Sequence, residues 1–124
     1  MRPTSFSLDE IPWERSNPDG TRSATIAGSR DPGVMFSYAF FLPAGCWDGP
    51  HNHETGVHLV VASGELRLTF EENGDIENAA QYPAGSFVSV PAGTIHADGA
   101  RTDTVIIGTA VGPWLSPAMS MGPR

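Results

Sequence analysis

The chain of 124 residues contains no lysine; all seven of its basic side chains are arginines. Without a lysine amine there is no Schiff-base chemistry, no lysine-anchored cofactor and no phosphate-binding loop of the kind that requires one. Cysteine is almost as scarce, since Cys46 stands alone and no disulfide can close within the chain. Long apolar runs are missing too. The longest, such as Leu59 to Ala62 and Val105 to Ile107, fall far below the roughly 20 residues of a membrane helix. Nor does Met1 to Trp13 hold an apolar run that reads as a secretory signal. These absences predict a cytoplasmic protein with no membrane partner.

Positive charge is in short supply as well. Fourteen acidic side chains against seven basic ones leave a net charge of −7, a field that repels polyphosphates and argues against nucleic acid as a partner. The length fits one domain of about 100–150 residues. A domain of that size buries roughly two thirds of the surface its unfolded chain exposes, so a metal, if one binds, points to function rather than to a need for a staple.

No window sustains a helical period. What is present instead is punctuation: 14 glycines and 11 prolines together make a fifth of the chain, against an average of roughly 12%. Between these turn-formers lie runs rich in β-branched and aromatic side chains, namely Ser23 to Ala27, Val34 to Leu42, Val57 to Ala62, Glu65 to Glu71, Ser86 to Val90, Ile95 to Ala97 and Thr104 to Ala110. Glu65 to Glu71 alternates Leu66, Leu68 and Phe70 with polar residues, the pattern of a strand with one buried face. The prediction is an all-β sandwich or small barrel over residues 21–112. It is preceded by an N-terminal arm (1–20) carrying Ile11-Pro12-Trp13 and followed by a Pro-, Ser- and Met-rich tail (113–124).

All four histidines fall in two places: His51, His53 and His58 within eight positions, and His96 alone. Residues i and i+2 of an extended segment project to one face, so His51 and His53 can converge on one ion at about 2.0–2.1 Å per nitrogen. His96 follows the tight turn Pro91-Ala92-Gly93, which can bring it back to the same place. A lone histidine in a strand is usually a packing or surface residue; the joint spacing is what makes these candidates.

These segments resemble the two motifs of the cupin superfamily. Gly45, the pair His51-Asn52-His53 and Gly64 follow the first motif, and Gly85, Pro91, Gly93 and His96 follow the second, whose closing Asn is replaced by Ala100. Phe41-Leu42-Pro43-Ala44-Gly45 and Gly112-Pro113-Trp114 are similar to the flanks of a group of small bacterial cupins. The resemblance implies a double-stranded β-helix, or jelly-roll barrel, with a divalent metal inside its mouth, and a homodimer as the default assembly. The glutamate that the first motif normally supplies is missing. Counted forward from His53 its position is His58; counted back from Gly64 it is Val57.

Adjacent strand residues face opposite sides. An inward His58 makes a four-histidine site, and an inward Val57 leaves three histidines with more open coordination. We favour the latter, because Val57, Leu59 and Val61 would then share one buried face. Cupins without the glutamate, such as the diketone-cleaving and thiol dioxygenases, hold Fe(II) on three neutral histidines. The resemblance therefore implies an Fe(II)-type dioxygenase acting on a small chelating molecule: a diketone, an enolisable acid or a thiol. The alternatives are a non-oxidative isomerase or lyase using Zn²⁺, Ni²⁺ or Mn²⁺, and a binding or sensing module without turnover.

Tyr38 and Phe40 alternate on the strand entering the first motif and are candidates for lining the substrate pocket, with Trp47 and Trp114 as candidate caps. Core packing explains any of these aromatics equally well. Asp48 and Asp98 flank the histidine segments and are candidates to orient imidazole N–H groups, or else simple turn-formers. Glu54 adjoins His53 and should point away from the site. Cys46 has no basic neighbour to activate it. No residue is assigned as catalytic, and no Ser-His-Asp arrangement is evident.

Overall fold

The computed structural model describes residues 3–114. Ten strands follow one another: β1 (Arg15–Ser16), β2 (Arg22–Gly28), β3 (Met35–Leu42), β4 (Trp47–His51), β5 (Val57–Ser63), β6 (Glu65–Thr69), β7 (Ala80–Pro83), β8 (Phe87–Val90), β9 (His96–Gly99) and β10 (Thr104–Val111). They form a six-stranded sheet of order β1-β2-β3-β10-β5-β8 and a four-stranded sheet of order β4-β9-β6-β7. Every pairing is antiparallel. From β3 onward the chain passes back and forth between the sheets, which is the winding of a jelly roll.

The large sheet follows the period-2 rule closely. Phe36, Tyr38, Phe40 and Leu42 of β3 point inward, as do Val57, Leu59 and Val61 of β5 and Ile106 and Ala110 of β10; all are buried in one core with Leu66 and Leu68 of β6. Burying each Phe, Leu or Val contributes roughly 1.5–3 kcal/mol. Gly108 of β10 lies directly opposite Tyr38, and a Cβ there would overlap the tyrosine ring. The missing side chain makes the space that the phenol fills.

The β5–β6 turn needs Gly64 for a different reason. Its φ is +79°, and a Cβ at that position would run into the backbone of Asp103 and Thr104. On the outer face of the large sheet, Ile11 packs with Ala24 and Ala39 against Trp13, Ile26, Val105 and Ile107. The predicted arm is therefore part of the packed structure, and its Arg15–Ser16 pair joins the sheet edge as β1.

The predicted strands all appear, with small differences at their ends. Three more were missed. β4 contains Asp48-Gly49-Pro50, residues with little preference for strands. It forms because β9 pairs with it, and it lies at a sheet edge, where a proline is tolerated. β7 is a short edge strand ending at Pro83, and β1 has only two residues. The predicted tail begins inside the fold, since Trp114 is 6% exposed and belongs to the main core. The remainder of that predicted tail lies outside the described residues.

Candidate metal centre

The site is built at one end of the small sheet. His51 closes β4 and His96 opens β9, and the two are direct cross-strand partners. Between Asp48 and His51 the register shifts, an irregularity of the kind that re-aims side chains at the rim of a barrel. His53 lies two residues beyond His51. Gly93, with φ +78°, turns the chain ahead of His96, and its N–H donates to the carbonyl of His53 at 2.9 Å. The two histidine segments are thus tied together by backbone as well as by sheet pairing.

The three imidazoles converge. Ring centroids are 4.4 Å apart for His51 and His96, and 5.2 Å for each of the other two pairs. One nitrogen from each ring lies within 4.8 Å of the others. The tautomers follow from the partners. His51 Nδ1 is 2.7 Å from the Gly49 carbonyl and His96 Nδ1 is 3.0 Å from that of Thr94. A carbonyl only accepts, so each Nδ1 carries the proton and each Nε2 presents a lone pair. His51 Nε2 is buried with no hydrogen-bond partner among the described residues. Such an orphan typically costs about 1–3 kcal/mol, and a divalent cation at the centre of the three rings would satisfy it.

Burial holds His53 and His96 in the neutral form. Burial, followed by the proximity of His96 and His51, pushes the His53 imidazole down to about 3. His96 is also lowered, by burial first and by His51 last, against opposing contributions from its Thr94 hydrogen bond and from Asp98. Neutral imidazoles are the form that ligates a metal.

The cluster stands between two spaces. Inside the barrel is a chamber of about 20 Å³, lined by His53, His96, Asp98, Tyr38, Phe40 and aliphatic side chains that include Val57. That is room for about one water molecule. Outside lies an open groove of about 480 Å³ lined by Pro50, His51, Asn52, Glu72, Asn73 and Ile95. Trp114 packs on the cluster, with its ring 4.8 Å from His53 and 5.7 Å from Tyr38.

Not every candidate is brought in. His58 is exposed on the outer face of β5, opposite Ser89 and Thr109, with its ring 5.6 Å from Phe87. Val57, 4% exposed, takes the inward position. The four-histidine alternative is thereby corrected: β5 has its apolar residues inside, and pleating then forces His58 out. Trp47 also points away. It lies over Gly99 on the outside of the small sheet, where a Cβ on residue 99 would meet its ring.

Glu54 is exposed. Cys46 is half-buried, and desolvation first and Asp98 next raise its thiol to about 11, so it stays protonated. Asp48 does reach a ligand candidate, its Oδ2 being 3.3 Å from His51 Nδ1. Asp98 faces the inner chamber. The signal for it was present in the sequence, since Asp98 is the i+2 residue from His96 and shares its face.

No family model matches the sequence, and no curated protein matches it. Solved structures do. KdgF from a Halomonas species is 19% identical, with a TM-score of 0.65, covering 86% of this chain and 92% of its own. A cupin superfamily protein from Desulfitobacterium hafniense is 17% identical, with a TM-score of 0.66 and coverages of 90% and 94%. An RmlC-like cupin from Shewanella frigidimarina is 16% identical, with a TM-score of 0.69 and coverages of 90% and 91%. At these identities the likeness is one of fold. The chain folds as a small cupin, a jelly-roll barrel with a potential divalent-metal site of three histidines at one end.

Proposed function

We propose that His51, His53 and His96 hold a divalent metal, Fe(II) in the first instance, and that the protein is an O₂-dependent oxidoreductase for a small chelating organic molecule. The observation that carries this reading is the convergence of three imidazoles, one with a buried Nε2 that has no hydrogen-bond partner among the described residues, beside a Val57 that supplies no carboxylate. When bound, Fe(II) would supply the redox couple and open coordination positions for an enolate or thiolate and for O₂. The chain supplies the rest. Gly49 and Thr94 carbonyls fix the tautomers of two ligands, Trp114 walls the His53 side, and the aliphatic chamber limits water.

The test is oxygen uptake by protein reconstituted anaerobically with Fe(II) and offered diketones, enolisable acids and thiols. Substrate-dependent uptake that disappears in His96→Ala supports the reading. Retained metal with no uptake on the whole panel sinks it.

A second reading draws on Asp98. A chamber for one water beside a carboxylate suits Zn²⁺, Ni²⁺ or Mn²⁺ acting as a Lewis acid in a non-oxidative isomerase or lyase. Elemental analysis of the native protein separates the two. Homodimerisation belongs to the same proposal. Phe87 and Val60, cross-strand partners on the outer face of the large sheet, are 60% and 42% exposed, and covering such a face favours association. No helix among the described residues is long and apolar enough to cross a membrane.

A further inference from the structure

The space beside the three histidines is too small for the kind of molecule the site is proposed to take. The inner chamber, which His53 and His96 line, measures about 20 Å³, room for about one water molecule. Even the smallest chelator, with two donor oxygens and the carbon atoms that join them, is several times larger. The outer groove is wide enough at about 480 Å³, but the only one of the three histidines in its lining is His51, whose Nε2 is buried. An organic ligand therefore reaches the ligating nitrogens only if part of the wall gives way.

Most of that wall is anchored. Tyr38 and Phe40 lie on β3, Val57 and Leu59 on β5, and His96 on β9, and each of these strands is paired on both sides. Moving any of them breaks backbone hydrogen bonds along a whole ladder. Trp114 is different. It stands beyond the end of β10 at Val111 and belongs to no strand. The backbone tie ahead of it is at Gly112, whose N–H donates to the Val34 carbonyl at 2.9 Å and whose carbonyl accepts from the Gly33 N–H at 3.0 Å. Pro113 has no N–H to add another. What buries the indole is ring packing, with centroids 4.8 Å from His53, 5.7 Å from Tyr38 and 5.9 Å from Phe36. His53 and Tyr38 both line the chamber, so the indole closes the side on which they stand. Phe36 and Tyr38 are fixed on β3; of the three stacked aromatic side chains, Trp114 alone lies off the sheets.

We infer that Trp114 is the gate and size filter of the histidine site: with the indole in place the cluster admits only molecules of one or two heavy atoms, and an organic ligand enters by displacing the ring. This rests on the proposal above that the histidine cluster is the working site, and not on which metal it holds. The indole can swing out and return while both sheets keep their hydrogen bonds, the kind of local opening that costs far less than global unfolding. A small gas molecule passes without it. A ligand that takes the place of the indole must cover the same faces of His53, Tyr38 and Phe36, which favours a flat, conjugated chelator over a branched or saturated one.

The first experiment needs no metal. Full-length metal-free protein is treated briefly with diethyl pyrocarbonate, which acylates neutral imidazole nitrogens, and each histidine is followed by peptide mass spectrometry, with exposed His58 as the internal reference. The proteins are wild type, Trp114→Ala, Trp114→Leu and Leu42→Ala, each checked by thermal unfolding. Leu42 is as deeply buried as Phe40 but does not line the chamber, so its variant reports general loosening of the core. In wild type His96 should react at least about tenfold more slowly than His58, because reaction waits on local opening. Trp114→Ala should speed His96 relative to His58 by about tenfold or more, and Leu42→Ala should leave that ratio within about twofold. If Trp114→Ala does not fold, Trp114→Leu carries the test, with an acceleration of about threefold or more.

Equal reaction of His96 and His58 in wild type overturns the gate. So does an unchanged ratio in a folded Trp114 variant, or an equal acceleration in Leu42→Ala. The second experiment loads the same proteins with Co(II) and follows the visible bands as acetylacetone is added. Binding to the Trp114 variants should be at least about tenfold faster than to wild type, whose rate is limited by opening; equal rates overturn the gate. Failure of wild type to bind Co(II) overturns the metal reading and not the gate, which the labelling decides.

Discussion

The two sheets of the barrel obey different rules. In the large sheet β10 alternates buried and half-buried residues from Thr104 to Ala110, and β5 alternates buried Val57, Leu59 and Val61 with exposed His58 and Val60. In the small sheet β4 has no fully buried residue, its pairing with β9 slips between Asp48 and His51, and its inward groups are polar. The large sheet meets local propensity, pattern and packing at once. The β4–β9 pair violates them together, with Gly49 and Pro50 in a strand and carboxylates facing inward. Local violations that persist in a folded chain mark places held by something other than local preference. Here that something is the histidine cluster and its surroundings.

The most forceful way to test this division is to damage the large sheet. Phe40, 1% exposed in the centre of the core, should cost about 3–5 kcal/mol when replaced by alanine, as read by urea unfolding of metal-free protein. A loss below about 1 kcal/mol would mean that the core does not carry the stability assigned to it.

His96→Ala tests the other half of the comparison. It should lower metal affinity by about 100-fold or more, by removing one of three ligands, while the unfolding free energy of the metal-free protein changes by only about 1 kcal/mol. Competition with a chromophoric chelator and urea unfolding give the two numbers. A stability loss as large as that of Phe40→Ala with little change in metal affinity would erase the distinction between scaffold and site.

The same division decides what could be read from the sequence. β5 and β6 were legible because Val57, Leu59, Leu66 and Leu68 recur with the period of a pleat, and a pleat needs no partner to be recognised. The histidine cluster was legible from spacing, since His51 and His53 share a face and His96 follows a turn that only a few residue types make. β4 was not, because Asp48-Gly49-Pro50 becomes a strand only through β9, nearly fifty positions along the chain. The facing of Asp48 toward Asp98 depends on that same distant register. Trp114 sits in a segment whose composition reads as a tail; its burial against Phe36, Tyr38 and His53 is purely tertiary.

Acid titration should show a moderate effect. The folded-state pKa of His53 lies near 3, against an ordinary value of about 6.5 in the unfolded chain. Between those values the unfolded state binds a proton that the folded state refuses, so stability falls as pH falls. The contribution of His53 is fully present above about pH 6.5 and is progressively lost toward pH 3. Carboxylates titrate in the lower part of this window too, so the measurement is a difference. Metal-free wild type should lose a few degrees more of Tm than His53→Gln between pH 6.5 and 4. Parallel curves for the two proteins would show that burial of His53 does not depress its protonation.

The smallest effect expected is the one that best defines the boundary between the two regions. His58→Ala should leave metal affinity within about twofold and stability within roughly 0.5 kcal/mol, because the ring lies on the outer face beside Phe87. Metal loss in this variant would require His58 to face inward, and in a pleated strand that means a slip of one residue along β5. The slip would turn Val57, Leu59 and Val61 out to solvent together, at about 1.5–3 kcal/mol each. It would also break the pairing of β5 with both β10 and β8. A fourth histidine ligand would therefore cost the barrel several core side chains, an imbalance that weighs against His58 joining the other three.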